Sequence, residues 1–202
     1  MMIILISGTP GTGKTSVSNM IAELYNGKVL SLNEPKVFKE FNIHFDNKRD
    51  TYVIDTDKLL THIINLIEEY KNNDPEYLII EGHFSDIIPE SYIDYAIILR
   101  CDPYVLKSRL ENRGYKKDKI LENVQAEILG NCANYFIQKN LKIPIYEINT
   151  SILTIESVVD IIIKNIIKDE NAENYLIGKI DWLEKLFQDD SLNVFFDDKI
   201  KP

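Results

Sequence analysis

Five short runs of the chain are almost continuously apolar: Met2–Ser7, Lys28–Leu32, Tyr77–Glu81, Tyr95–Arg100 and Ile143–Ile148. A strand with one wet face alternates apolar and polar residues, whereas an uninterrupted run belongs to a parallel sheet covered on both faces. Between the runs the spacing becomes helical. Lys14–Leu24 follows the first run. Leu59, Leu60, Ile63, Ile64 and Ile67 follow the capping candidates Asp55 and Thr56. Pro103 opens Tyr104–Glu111 as a first-turn proline. One long helical segment is expected over about Asp118–Gln138, carrying Ile120, Val124, Ile128 and Leu129, and a last long helix through Val158, Val159, Ile162, Ile163 and Ile166. Strands alternating with helices predict an α/β fold: a parallel sheet between two helical layers, with right-handed crossovers.

Two stretches depart from the alternation. Glu34–Asp55 is polar with aromatic punctuation (Phe38, Phe41, Phe45, Tyr52) and reads as a lobe over the carboxyl edge of the sheet. Residues 169–202 hold nine acids and four bases around Ile180, Trp182, Leu183, Leu186 and Phe187, and read as a short docked helix with an acidic tail.

The chemistry sits first at Gly8-Thr-Pro-Gly11-Thr-Gly13-Lys14-Thr15, a complete G-x-x-x-x-G-K-[ST] phosphate loop between a strand and a helix. Glycines let the backbone wrap closely around an anion, and the helix that follows offers its positive end. Lys14 is expected on the β- and γ-phosphates of a bound nucleotide and Thr15 on Mg²⁺. No N-K-x-D guanine-reading motif follows, and the chain is short for a motor ATPase. A small nucleotide or metabolite kinase is the economical reading.

Tyr77–His83 ends an apolar strand in a carboxylate. Glu81 would lie near the phosphate loop, where it would hold Mg²⁺ through a water or position that water, unless it stands as a solvated strand-end acid; His83 would orient Glu81, touch phosphate or serve structure. Residues 100–119 hold seven bases (Arg100, Lys107, Arg109, Arg113, Lys116, Lys117, Lys119) against three acids. Such a segment suits a lid that closes over transferring charge, with Gly114 as the turn and Arg113 as its best candidate contact. In the acceptor lobe Arg49 is the candidate clamp for an acceptor phosphate, while Asp55 and Asp57 read as helix caps. An acceptor phosphate is already anionic, so no general base is required.

Net charge is −9, with 23 basic and 32 acidic residues, which disfavours direct, phosphate-driven nucleic-acid binding. No apolar run reaches the ~18 residues of a membrane span. Cys101 and Cys132, without a signal-like start, read as reduced thiols in a cytosolic protein.

The segments Ile6–Thr15, Ile79–His83 and Leu99–Leu129 resemble the small adenylate kinases of the isoenzyme-6 type, in an archaeal form, over about residues 1–168. The resemblance implies a P-loop nucleoside monophosphate kinase fold with an acceptor lobe at about 31–54 and a short lid at about 112–122. It implies ATP on Gly11, Gly13, Lys14, Thr15 and Ser16, with Arg113 from the lid, and transfer to AMP or a related acceptor. It also implies ATPase activity and engagement of a small-subunit ribosomal protein during maturation of the small ribosomal subunit. Many eukaryotic members carry D-x-H where this chain has Glu81-Gly82-His83, one methylene longer.

Overall fold

The computed structural model describes residues 1–32, 40–46, 51–82 and 87–196. Five strands form one parallel sheet: β1 (Met2–Gly8), β2 (Gly27–Ser31), β5 (Tyr77–Glu81), β6 (Tyr95–Arg100) and β7 (Ile145–Asn149), in spatial order β2-β5-β1-β6-β7. A separate antiparallel hairpin, β3 (Asn42–Asp46) and β4 (Thr51–Ile54), lies within the stretch read as the lobe. All five expected apolar runs are strands, with ends moved by no more than two residues.

Each buried strand feeds two cores because successive side chains point to opposite faces. Ile3, Leu5, Leu78, Ile80, Ala96 and Ile98 pack under α2 (Thr56–Asn72) and α5 (Asn131–Lys139), through Leu59, Ile63, Ile67, Ala133 and Phe136. Ile4, Ile6, Ile79, Ile97, Leu99 and Ile148 pack under α1 (Lys14–Leu24) and α6 (Ile155–Asp160). The last helix continues past Asp160 as a π-helical stretch, Ile161–Ile167, which keeps Ile162, Ile163 and Ile166 buried. The structure is the expected three-layer α/β/α sandwich.

Local signals explain the helix ends. Asp55 accepts the Lys58 N–H at 3.1 Å, as the capping reading required. Asp102 caps α3 (Pro103–Asn112), accepting from Tyr104 N at 3.0 Å, with Pro103 in the first turn. The expected single helix over Asp118–Gln138 is instead two, α4 (Lys117–Ile128) and α5, because Gly130 adopts φ +63° between them. Leu129, read as part of the buried stripe, is 45% exposed at that break.

A third core joins α3 and α4 to the C-terminal segment. Leu106, Leu110, Ile120, Val124 and Ile128 enclose Leu186 of α7 (Trp182–Gln188) and Phe195 of α8 (Asn193–Phe196). Lys185 pairs with Asp102 at 2.9 Å. The docked helix expected in this region is present and is joined by a second, and 197–202 lie outside the described residues.

Candidate functional site

Strand register builds the site. Ile6 of β1 lies opposite Glu81 of β5, and Ser31 of β2 lies opposite the same Glu81. The carboxyl ends of β1, β2 and β5 therefore converge where the phosphate loop leaves β1, the edge at which open α/β sheets place ligands.

The loop is held by its glycines. Gly11 has φ +95°, and a Cβ there would meet Leu106 Cδ1 at 2.8 Å; Gly13 has φ +105° and opens directly into α1. The first bond of the α1 ladder runs from Val17 N to Gly13 O at 3.0 Å. The N–H groups of Lys14, Thr15 and Ser16 therefore precede the ladder, and no acidic residue in the first turn competes for them. That helix end is built to take an anion.

Lys14 is 6% exposed and folds over the loop, donating to Gly8 O at 2.7 Å and Thr9 O at 3.2 Å. Burial lowers its pKa below the ordinary 10.5; the Cys132 sulfur and the carboxylates of Glu81 and Glu127 oppose the fall, and Arg113 adds to it.

Glu81 is fully buried at the end of β5, and Oε1 accepts from Thr15 Oγ1 at 3.2 Å and Ser31 Oγ at 2.5 Å. It is thus not a solvated strand-end acid. Ser31 falls in the expected Lys28–Leu32 strand and at the start of the expected lobe; its role as a partner of Glu81 follows from cross-strand register, which one sequence does not display. The donor set is oxygen only, two hydroxyls around one carboxylate, which fits a hard cation such as Mg²⁺.

Beside the loop lies a cavity of about 390 Å³ lined by Gly11, Gly13, Ser16, Arg109, Arg113 and Thr150, with Val17, Leu153 and Val158 as apolar wall. Arg113 ends α3 and is exposed at the cavity, next to Gly114 at φ +74°. Two other bases of the segment are not lid charges. Arg109 is a strut, donating to Gly11 O at 3.4 Å, Thr150 Oγ1 at 3.2 Å and Thr150 O at 2.7 Å. Arg100 is 2% exposed and ion-paired to Glu127 at 2.8 Å and Glu147 at 3.1 Å. Its apolar strand context was the signal that it faces inward.

Lys14, Thr15, Ser16, Gly11, Gly13, Glu81 and Arg113 are thus gathered at one edge. Arg49 and His83 lie outside the described residues. Among the described residues no group of three or more His, Cys, Asp or Glu side chains forms a metal cage, and no helix is long and apolar enough to cross a membrane. Both cysteines are free thiols, as expected.

A family model described as an AAA domain matches residues 4–130. A Methanocaldococcus jannaschii protein named "Putative adenylate kinase" is 38% identical over 186 residues, covering 92% of this chain and 96% of that protein. The chain belongs to this adenylate kinase family, of the isoenzyme-6 type. An adenylate kinase isoenzyme 6 homolog from Caenorhabditis elegans is 36% identical over 129 residues, 63% of this chain and 68% of that protein. The deoxyadenosine kinase of M. mycoides with bound dATP shares the fold, with a TM-score of 0.54 at 16% identity, over 82% of this chain and 99% of that one. The resemblance read from Ile6–Thr15 and Leu99–Leu129 is borne out, and the chain has the P-loop fold of the family.

Proposed function

We propose that the protein transfers the γ-phosphoryl group of ATP to AMP, with Mg²⁺, and that the residues gathered around the phosphate loop carry the reaction. The observation that carries this reading is the convergence of Lys14, Thr15 and Glu81 at the loop with Arg113 at the rim of the adjoining cavity. The family supports it.

In this reading the N–H groups of Lys14–Ser16 and the α1 dipole bind the triphosphate. Lys14 and Arg113 neutralise charge on the equatorial oxygens. Thr15 and Glu81 would hold Mg²⁺, which supplies further neutralisation at the transferring group. The nucleoside of ATP occupies the cavity beside Gly11 and Val158. Residues 31–54 serve as the acceptor lobe, with Arg49 as the clamp for the acceptor phosphate and His83 orienting Glu81 or touching phosphate. Residues 112–122 act as the lid, which excludes water when closed. The acceptor phosphate is already ionised, so positioning carries the chemistry.

A coupled assay of ADP formation, run with AMP, CMP, GMP, UMP and no acceptor, tests the proposal. Strong AMP dependence is expected. Phosphate release that ignores every acceptor would overturn it.

A second reading is favoured by the net charge of −9. An acidic surface attracts basic proteins, as an ATP-gated assembly factor for a small-subunit ribosomal protein requires. That reading predicts ATP hydrolysis stimulated by such a protein and indifferent to AMP.

A further inference from the structure

Glu127 lies one residue before the end of α4, 1% exposed, and is not among the residues assigned above to the reaction. Its Oε2 accepts from the hydroxyl of Thr9, in the phosphate loop, at 2.5 Å. Its Oε1 accepts from Arg100 Nε at 2.8 Å, Cys101 N at 3.1 Å and Trp182 Nε1 at 3.1 Å. Arg100 continues to Glu147 at 3.1 Å and to Ile180 O at 3.2 Å, and Glu147 accepts the backbone N–H groups of Lys179 and Ile180 at 2.5 and 2.6 Å. A continuous chain of hydrogen bonds thus runs from the loop to residues 179–182, buried from Thr9 through Glu127 and Arg100 to Glu147 and Trp182.

A buried carboxylate is tolerated only when its lone pairs are used, and bonds to it are charge-assisted and directional. Four donors from three parts of the chain fix Glu127, so the Thr9 hydroxyl is tied to a rigid acceptor. Thr9 is also a hub within the loop, since its carbonyl accepts from Lys14 Nζ at 3.2 Å and from Thr12 Oγ1 at 2.9 Å. When Lys14 turns from that carbonyl to a phosphate, the hub is perturbed, and the next rigid group along the chain is Glu127 with the Trp182 indole against it.

We propose that Glu127 is a positioning residue of the phosphate loop, acting through Thr9, and that Trp182 completes its hold, so that the C-terminal segment belongs to the nucleotide-binding machinery. This rests on the reading that the loop takes ATP.

Trp182 is the chain's single tryptophan, so the full-length protein reports on itself. Mg–ATP is titrated while Trp182 emission is followed, with calorimetry in parallel as an independent measure of binding. A saturable emission change with the calorimetric midpoint is expected. Thr9→Val, close in volume but without the donor, should weaken ATP binding about tenfold, as fits loss of a hydrogen bond to a charged group, and its residual binding should leave emission unchanged. Trp182→Phe keeps most of the packing and should raise the KM for ATP by several-fold while altering kcat less. Calorimetric binding with silent emission in the wild type, an undiminished emission change in Thr9→Val, or an unaltered KM in Trp182→Phe would each overturn the inference alone. Absence of both heat and emission change in the wild type would overturn it together with the assignment of ATP to the loop.

Discussion

Thr15 and Glu81, 66 residues apart in sequence, meet across the carboxyl edge of the sheet, with Thr15 Oγ1 donating to Glu81 Oε1 at 3.2 Å. The contact joins the first turn of α1 to the end of β5, and Ser31 braces the same carboxylate oxygen from β2 at 2.5 Å. If these oxygens hold Mg²⁺, Glu81→Gln should raise the Mg²⁺ concentration needed for half-maximal activity by about 10–100-fold. The amide preserves size, and its oxygen still accepts from Thr15 and Ser31, so the melting temperature should move little. A magnesium titration at saturating ATP reads the shift; an unchanged curve would remove Glu81 from the metal site.

Arg109 and Arg113 sit one helical turn apart and should behave oppositely. Arg109 is committed to carbonyls of Gly11, Thr150 and Ser151, so Arg109→Ala should cost about 1–3 kcal/mol of stability by leaving those groups unmatched. Arg113 is exposed at the cavity. Arg113→Ala should lower kcat by about 10²-fold or more, with a denaturation midpoint close to wild type. Urea melts beside steady-state kinetics separate the two.

Burial holds Lys14 below the ordinary lysine value of 10.5. In the pH window between its folded value and 10.5 the folded chain has released a proton that the unfolded chain keeps, so this group's contribution to stability rises with pH there. Binding behaves in the reverse sense, because the phosphates need the charged amine. The alkaline fall in kcat/KM for ATP should therefore begin below pH 10.5. In Lys14→Arg, whatever its absolute rate, that limb should be absent below about pH 12, since guanidinium stays charged.

The C-terminal segment carries part of the third core. Leu186 is 2% exposed among residues of α3 and α4. Leu186→Ala should cost about 2–5 kcal/mol through the cavity it leaves. Chemical denaturation would show it as a lower midpoint; a loss under about 1 kcal/mol would mean that α7 is dispensable to the fold.

Much of this was legible along the chain, for identifiable reasons. Continuous apolar runs mark strands covered on both faces, and Pro103 and Asp55 sit where helix starts require them. The phosphate loop is local, so its eight residues announce it. The break at Gly130 was also legible, since a glycine after Ile128 and Leu129 is a helix-stop signal, but the apolar spacing overrode it. Long-range pairings were not legible. Arg100 joined the basic segment in a count of charges, yet its counterions are 27 and 47 residues away at Glu127 and Glu147. Ser31 acquires its role only through the register of β2 against β5. Nothing local marks such partners, because the sheet order β2-β5-β1-β6-β7 brings them together.

The central claim is that the Lys14 loop performs phosphoryl transfer from ATP to AMP. ADP production from ATP plus AMP, compared between the wild type and a folded Lys14→Ala variant, tests it most directly. AMP-dependent turnover in the wild type and a loss of about 10²–10³-fold or more in the variant are expected, the scale of removing one preorganised charge contact. Turnover in Lys14→Ala equal to that of the wild type would contradict the account.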